Sequence, residues 1–264
     1  MMFRNIRLKT EADIELIKIS SLLVGKTLAE VAKAIRPGVP LLYLDKIGEE
    51  YIRDNHAVPS FKGYNGFPAA LCLSVNDVVV HGIPSNKILE EGDIISVDCG
   101  VYQNGFHGDY AYTFAVGEIS EEKRLLVQRT KESLYKGIGA AVAGNTTGHI
   151  GHAVQKYVEQ FGYGVVRELC GHGIGKNLHE KPDVPNYGKP NGGMILREGM
   201  VICIEPMITN RSPKIYMEND NWTIRTADGQ PAAHFEHQIA ITANGPEVLS
   251  TYQYIEEVLG NKVI

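Results

Sequence analysis

Apolar residues recur at helical spacing in two segments near the start of this 264-residue chain. Thr10 and Asp13 form a capping-box pattern ahead of a run of strong helix formers that reaches about Ile35. A second amphipathic segment follows, from about Leu41 to Asp54. The pattern therefore predicts that a pair of helices opens the chain.

The latter half of the chain repeats this plan. Ser120 is predicted to cap a helix that reaches about Val142, and another helix is predicted from about Thr147 to Gln160. Corresponding positions of the second helix in each half match at one constant offset, and β-rich sequence follows both pairs. The matched positions are Gly38 with Gly144, Leu44 with Ile150, Tyr51 with Tyr157, and Ile52 with Val158.

Two strand-like segments, 91–98 and 198–205, repeat at nearly the same offset, as EGDIISVD and EGMVICIE. Each runs from a Glu-Gly turn through an apolar strand and ends on one carboxylate, Asp98 in the first and Glu205 in the second. A carboxylate among apolar residues is costly to bury unless it is paired or holds a metal. The repeat predicts that acids from both halves face a shared centre.

These repeats predict an α+β fold, a central antiparallel sheet backed by two helix pairs. We expect residues 1–264 to form a single domain with an internal duplication. Its pseudo-symmetric halves would span about 8–118 and 119–252.

The dipeptide Asn104-Gly105 between two strand-like runs predicts a two-residue type I′ hairpin turn. With that turn, Gly100 lies opposite Asp109, so Asp98 and Asp109 lie diagonally on one face. A loop longer by one residue would send the two carboxylates to opposite faces. The hairpin therefore predicts that both can reach one shared ion.

The second half of the chain supplies further carboxylates. Glu205 is followed by Pro206, and Glu236 opens an apolar run that could pair with the strand before Glu205. Four converging carboxylates would repel one another strongly without cations, so a pair of divalent metal ions is the economical explanation. Ligation mostly by oxygen favours Mn²⁺, Fe²⁺ or Co²⁺ over a structural zinc site.

Three histidines are candidates for metal ligation or acid–base chemistry, and their sequence context does not separate these roles. His172 and His179 lie in the glycine-rich run CGHGIGKNLHE, where glycine lets the backbone pass close to a neighbour. His81 follows the apolar run VNDVVV. The remaining histidines are predicted to be ordinary core or surface residues: His56, His107, His149, His152, His234 and His237.

Composition excludes several functional classes. A formal net charge of −5 without a Lys/Arg block disfavours a dedicated nucleic-acid binder. The sequence has neither an apolar run long enough to span a membrane nor a signal-peptide pattern, and its 4 cysteines lack a CxxC pair. We therefore expect reduced thiols and a cytoplasmic protein. The HExxH, GxSxG and phosphate-loop patterns are absent.

The ordered set Asp, Asp, His, Glu, Glu in a duplicated domain resembles the pita-bread metallopeptidases, and among them the type I methionine aminopeptidases. The resemblance extends from about residue 5 to 252. It is carried by VNDVVVHGIP, DIISVDCGVYQNGFHGDYAYTF, LCGHGIGKNLHEKP, MVICIEPMI and FEHQIAIT. The short distance from His179 to Glu205 leaves no room for the helical insertion of type II enzymes. The chain is expected to be a bacterial-type member without an N-terminal zinc-binding extension.

The resemblance implies a dinuclear metal site, with Asp109 and Glu236 bridging the ions. The implied metal ligands are Asp98, Asp109, His172, Glu205 and Glu236. The implied metals are two divalent ions per chain, drawn from Co, Mn, Fe, Zn or Ni. His81 and His179 would contact the substrate, and Glu205 would also shuttle a proton.

The resemblance also implies a substrate pocket and a substrate. The pocket for methionine would consist of Phe61, Tyr64, Phe67, Cys72 and Trp222, and an aromatic and sulfur-lined wall suits a thioether. Phe61 and Leu178 depart from the family pattern, which many relatives fill with Cys and Phe. The implied reaction removes the initiator methionine from nascent N-termini when the second residue is small. A monomer is expected, with the ribosome exit region as a candidate partner and neither membrane nor sequence-specific nucleic-acid binding.

Three rival interpretations remain. The first is a pita-bread relative that cleaves Xaa-Pro bonds or creatine; such relatives have longer N-terminal domains. The second is a non-catalytic binding or chaperone-like protein that kept the fold. The third is a structural domain whose acids form salt bridges, although no Lys or Arg lies near Asp98 or Glu205 in sequence.

Overall fold

The computed structural model describes residues 6–260 and 263, which form five α-helices, one short 3₁₀ turn and fifteen β-strands. The helices are α1 (Glu11–Ala34), α2 (Leu41–Asp54), α3 (Glu121–Ala140), α4 (Thr147–Glu159) and α5 (Gln253–Leu259), and the 3₁₀ turn is Tyr64–Gly66. The first eight strands are β1 (Val58–Pro59), β2 (Leu71–Val75), β3 (Val78–Val80), β4 (Ile94–Gln103), β5 (Phe106–Ala115), β6 (Gly164–Val165), β7 (Gly171–Gly173) and β8 (Glu180–Val184). The others are β9 (Val201–Ile204), β10 (Met207–Thr209), β11 (Ile215–Met217), β12 (Ile224–Thr226), β13 (Ala232–His234), β14 (His237–Thr242) and β15 (Gly245–Val248).

The four helices predicted from the apolar pattern are present, and their bounds differ from the predicted ones by at most two residues. The capping box that opens α1 is formed. The Thr10 hydroxyl oxygen accepts from the Asp13 N–H at 3.1 Å, and the Asp13 carboxylate accepts from the Thr10 N–H at 3.0 Å. Ser120 caps α3 through its hydroxyl oxygen alone, which accepts from the Lys123 N–H. Local capping chemistry therefore places both helix starts.

The strands form antiparallel pairs throughout, which confirms the α+β class, and they group into four hydrogen-bonded sheets. In the first sheet, β1 and β2 pair along one edge of β4, and β5 pairs along its other edge. The largest sheet has the order β15-β14-β9-β7-β8. The smaller sheets are β13-β10-β6 and β11-β12-β3. Helix α1 packs on β4 and β5, and α4 packs against α3 and β8.

The hairpin β4–β5 has the predicted register. Asn104 and Gly105 form its turn with φ of 53° and 85°, as a type I′ turn requires, and Gly100 lies opposite Asp109. One prediction was wrong in detail. Asp98 lies in the middle of β4 instead of closing it, because β4 continues to Gln103 at the hairpin turn.

Alternation along β4 explains how a carboxylate is tolerated there. Val97, Cys99 and Val101 are fully buried in the main apolar core. Side chains of successive strand residues point to opposite faces, so Asp98 and Ser96 share the other face. Ser96 is satisfied by a hydroxyl contact of 2.8 Å with Thr113 of β5. The hairpin therefore has one apolar face and one polar face.

Several hydrogen bonds join the hairpin to the largest sheet and to the residue before β14. The Glu236 N–H donates to the Ala111 carbonyl at 3.1 Å, and the Asp109 N–H donates to the side-chain oxygen of Gln238 at 3.2 Å. The polar face of the hairpin thus abuts the strand ends of the second half. Among the described residues, no helix is long and apolar enough to cross a membrane.

Candidate metal centre and substrate cleft

A cleft of about 490 Å³ opens where the hairpin meets the second half of the fold. All twelve residues that the sequence and the resemblance nominated line it. They are Phe61, Tyr64, Phe67, Cys72, His81, Asp98, Asp109, His172, His179, Glu205, Trp222 and Glu236. Residues separated by more than a hundred positions therefore share one cavity.

Asp98 and Asp109 lie side by side on the polar face of the hairpin. Burial raises the pKa of Asp98 from 3.8 to about 7. Burial also raises the pKa of Asp109, and the nearby charges of Glu236 and Asp98 raise it further. Both carboxyl groups therefore strongly resist ionisation unless a positive charge accompanies them.

His172 is presented by β7, between two glycines that are required for close packing. A Cβ on Gly171 would lie 2.3 Å from the Cys203 carbonyl oxygen, and one on Gly173 would lie 2.3 Å from the Lys181 carbonyl oxygen. The Nδ1 of His172 is 3.0 Å from the Gly173 carbonyl oxygen and donates to it, so the Nε2 lone pair is free. That Nε2 lies 3.8 Å from Asp109 Oδ2 and 3.6 Å from Glu205 Oε1.

Glu205 and Glu236 enter the cleft from neighbouring strand ends. Glu205 directly follows β9, and its carbonyl accepts from the Asn186 side chain at 2.9 Å. Glu236 directly precedes β14, which pairs with β9 as predicted. Burial is the main cause that raises the pKa of both carboxyl groups, and charges of neighbouring carboxylates add to it.

The donor set fits divalent metal ions. Among the described residues, Asp98 Oδ1, Asp109 Oδ1 and Glu236 Oε1 are buried oxygens without a hydrogen-bond partner. Such orphaned acceptors are expected where a cation satisfies them. Two groups of possible ligand atoms share Glu236, and the atoms in each group lie within 4.8 Å of one another. The groups are Asp109, His172, Cys203 and Glu236, and Glu205, His234 and Glu236.

Cys203 belongs to the first of these groups only by proximity. It is fully buried, and burial raises the pKa of its thiol well above the ordinary value. A thiol must lose its proton to bind a metal. We therefore regard Cys203 as part of the apolar floor beneath the cleft.

His81 and His179 lie around the carboxylates. His81 follows β3 with φ of 57°, a left-handed conformation that is rare outside glycine and is often found at functional sites. Burial and the neighbouring His179 lower the pKa of His81 to about 4. His179 is exposed at the cleft, its Nδ1 is 2.8 Å from the Tyr64 hydroxyl, and its ring centroid lies 4.2 Å from that of His172. Both rings are neutral near pH 7.

The apolar side of the cleft is formed by the predicted pocket residues. Phe67 and Trp222 meet edge to face with ring centroids 5.1 Å apart. Phe61, Phe67 and Cys72 are buried, whereas Tyr64 and Trp222 are partly exposed. Leu178, one of the two departures from the family pattern, is 2 % exposed and also lines the cleft. An apolar recess thus adjoins the carboxylate cluster.

Sequence reasoning missed His234, which lines the cleft although it was predicted to be an ordinary core or surface residue. The available signal was its spacing: His234 precedes Glu236 by two positions, and alternate residues of an extended segment share a face. His237, in contrast, behaves as predicted. It is buried, and its ring nitrogens contact the Ser250 and Tyr135 hydroxyls at 2.7 and 3.3 Å.

Comparison with known proteins agrees with this geometry. The model of metallopeptidase family M24 matches residues 15–243. A methionine aminopeptidase of Clostridium acetobutylicum is 51% identical over 244 residues, which cover 92% of this chain and 98% of that protein. Methionine aminopeptidase 1 of Bacillus subtilis is 47% identical, with 92% and 98% covered. The crystal structure of methionine aminopeptidase from Rickettsia prowazekii superposes with a TM-score of 0.92 at 36% identity and covers 93% of this chain and 100% of that one.

Proposed function

This chain belongs to metallopeptidase family M24, and from that premise we propose that it removes the N-terminal methionine from nascent proteins whose second residue is small. The observation that most directly supports this proposal is a cleft beside an apolar recess, in which five side chains converge: Asp98, Asp109, His172, Glu205 and Glu236. The reaction is a metal-dependent aminopeptidase hydrolysis.

Divalent metal use follows from the family and from the buried donor cluster. We assign two ions to the site, with Asp98, Asp109, His172, Glu205 and Glu236 as ligands. The sharing of Glu236 between two ligand groups supports this number. Co, Mn, Fe, Zn and Ni all suit such a mixed set of oxygens and nitrogen. When bound, divalent ions supply Lewis acidity that polarises a carbonyl and acidifies water.

Glu205 is the residue we assign to proton transfer. Its side chain is 13% exposed, so the carboxylate reaches the cleft while most of it is desolvated. A carboxylate whose pKa is raised by burial is a better general base near neutral pH. Glu205 would take a proton from the attacking water and deliver it to the departing amine.

His179 and His81 bind the reacting amide in this scheme. We assign the Tyr64 hydroxyl as the donor to His179 Nδ1, 2.8 Å away, so that the ring proton of His179 lies on Nε2. His179 can then donate to the carbonyl oxygen as negative charge develops on it. His81 would hydrogen-bond the scissile amide nitrogen and orient the leaving group.

The recess formed by Phe61, Tyr64, Phe67, Cys72 and Trp222 would bind the methionine side chain. Aromatic edges and sulfur suit a polarizable thioether, and the neighbouring rings of Phe67 and Trp222 supply such a wall. The recess ends at the carboxylate cluster, so a side chain placed there positions its own amide at the reacting groups. This arrangement favours cleavage of one N-terminal residue.

We place the reaction in the cytoplasm, where nascent N-termini emerge, and propose a monomer that works near the ribosome exit region. The substrate supports this placement. We further propose that residues 1–264 act as one catalytic domain built from two related halves.

A peptide panel tests the proposed function. Chelator-treated protein is supplied with Co²⁺ or Mn²⁺ and given Met-Gly-Met-Met, a Leu-first analogue and an Xaa-Pro peptide. Metal-dependent release of methionine from the first peptide alone is the expected result. Cleavage of the Xaa-Pro peptide instead would assign a different substrate, and bound metal without cleavage would favour a binding protein.

A further inference from the structure

Six buried side-chain polar atoms among the described residues have no hydrogen-bond partner, and four of them belong to residues lining the cleft. Three of the four are the orphaned oxygens of Asp98, Asp109 and Glu236. The fourth is Nε2 of His234, a residue that the proposed ligand set does not include. This nitrogen therefore belongs to the same cleft as three carboxylate oxygens that a bound cation would satisfy.

His234 lies close enough to the carboxylates to take part in metal binding. The residue is 1% exposed, and its Nε2 is 3.8 Å from Glu205 Oε2. A ring nitrogen of His234 also lies within 4.8 Å of a Glu236 oxygen. His172 Nε2 lies 3.6 Å from the other oxygen, Glu205 Oε1. The Glu205 carboxylate thus has an imidazole nitrogen beside each of its two oxygens.

The distances favour a shared ion over a hydrogen bond. A separation of 3.8 Å exceeds the hydrogen-bond range, so an N–H on His234 Nε2 would be left without a partner. A lone pair there would face carboxylate oxygens, which are also acceptors. Two donors bonded to one ion at about 2.0–2.2 Å lie at most about 4.4 Å apart, and 3.8 Å meets this limit.

The backbone of His234 is fixed in place from both sides. Its N–H donates to the Thr113 hydroxyl oxygen at 3.0 Å, and the same hydroxyl donates to the His234 carbonyl at 2.7 Å. His234 also pairs with Met207 in the β10–β13 ladder. Thr113 lies on β5, the strand that carries Asp109, so the hairpin and the imidazole are held in one rigid frame.

We propose that His234 is a sixth protein ligand of the metal centre, binding through Nε2 an ion shared with Glu205 and Glu236. This rests on the proposed two-metal function. It gives the centre a second imidazole nitrogen, beside the Glu205 oxygen that is not the one nearest His172. A set with two nitrogens favours Co²⁺, Ni²⁺, Zn²⁺ or Fe²⁺ over Mg²⁺ or Mn²⁺ more strongly than five ligands alone would.

The first experiment compares metal affinities of His234→Gln and the unmodified protein by calorimetric titration of chelator-stripped samples with Co²⁺. Gln keeps a hydrogen-bond donor but lacks the imidazole lone pair. Loss of an outer partner of a metal ligand costs about 10–100-fold in affinity, so loss of a ligand should weaken one of two Co²⁺ sites by at least about 100-fold. Unchanged affinity in His234→Gln overturns the proposal. His149→Gln, which removes an imidazole that caps α4, is the matched control and should leave both affinities unchanged.

The second experiment counts imidazole resonances in the unmodified protein and uses variants only to assign them. In the proton NMR spectrum of the Co²⁺-loaded protein, each imidazole bound through Nε2 contributes one strongly shifted, solvent-exchangeable Nδ1–H resonance. The proposal predicts two such resonances, one absent in His172→Gln and the other in His234→Gln. A single resonance that disappears in His172→Gln contradicts it.

Methionine release by the same unmodified sample separates the two claims. If that sample binds two ions and cleaves Met-Gly-Met-Met while showing one imidazole resonance, only the role of His234 is refuted. If it neither binds ions nor cleaves the peptide, the proposed function fails with it.

Discussion

Without bound metal, the folded protein should lose stability as the pH rises. Burial raises the folded-state pKa of Asp98 from 3.8 to about 7, so between these values the folded apoprotein holds a proton that the unfolded chain releases. Stability from this group is therefore fully present below about pH 4 and is lost as the pH rises towards 7. Bound divalent ions should abolish the loss, because they stabilise the ionised carboxylate.

The size of the effect follows from the pKa displacement. A rise from 3.8 to about 7 corresponds to about 4 kcal/mol over the whole window. More than half of it falls between about pH 5 and about pH 8. Urea unfolding of stripped protein at these two pH values measures the loss. Asp98→Asn is the control, because its neutral amide cannot ionise. Between the two pH values the stability of this variant should fall less than that of the unmodified protein, by the share calculated for Asp98. Equal pH dependence in both stripped proteins would refute the reasoning.

Three further substitutions probe the cleft and its support. Asp109→Asn should abolish metal binding and turnover but leave the fold intact, as metal analysis, peptide cleavage and circular dichroism would show; retained activity contradicts the dinuclear assignment. Tyr64→Phe removes the hydroxyl 2.8 Å from His179 Nδ1, and a hydrogen bond worth about 1 kcal/mol predicts a fall of about 2–10-fold in kcat with little change in KM. A change in KM alone would show that the Tyr64 hydroxyl acts through methionine binding and not through His179. Lys9 Nζ lies 2.8 Å from Glu180 Oε2, and the Glu180 side chain is only 11% exposed. Lys9→Met would leave that carboxylate without its partner, so it should lower the free energy of unfolding, measured in urea, by about 3 kcal/mol. A loss below about 1 kcal/mol would place this pair among weak surface pairs.

Much of the fold could be predicted from short-range sequence patterns. The Thr10 capping box, Ser120 and the Asn104-Gly105 turn act over a few residues, so their consequences can be worked out from sequence, including the register that brings Asp98 and Asp109 to one face. The duplication of the whole chain stays a prediction, since similar helix and strand order alone does not establish it.

Features that depend on distant contacts could not be predicted in the same way. The meeting of the β4–β5 hairpin with the second half of the fold depends on contacts such as Glu236 with Ala111, which no local pattern encodes. His234 resembled any buried histidine in sequence, and only its orphaned Nε2 beside Glu205 distinguishes it from His237, whose nitrogens have partners. Satisfaction of buried polar atoms is a three-dimensional property.

The most direct test of a two-metal aminopeptidase is a titration of chelator-stripped protein with Co²⁺ that follows bound metal and methionine release from Met-Gly-Met-Met in the same samples. The account predicts no release without metal, and activity that rises until two ions are bound per chain. Full activity in the presence of excess chelator, or two bound ions without any release of methionine, would contradict it.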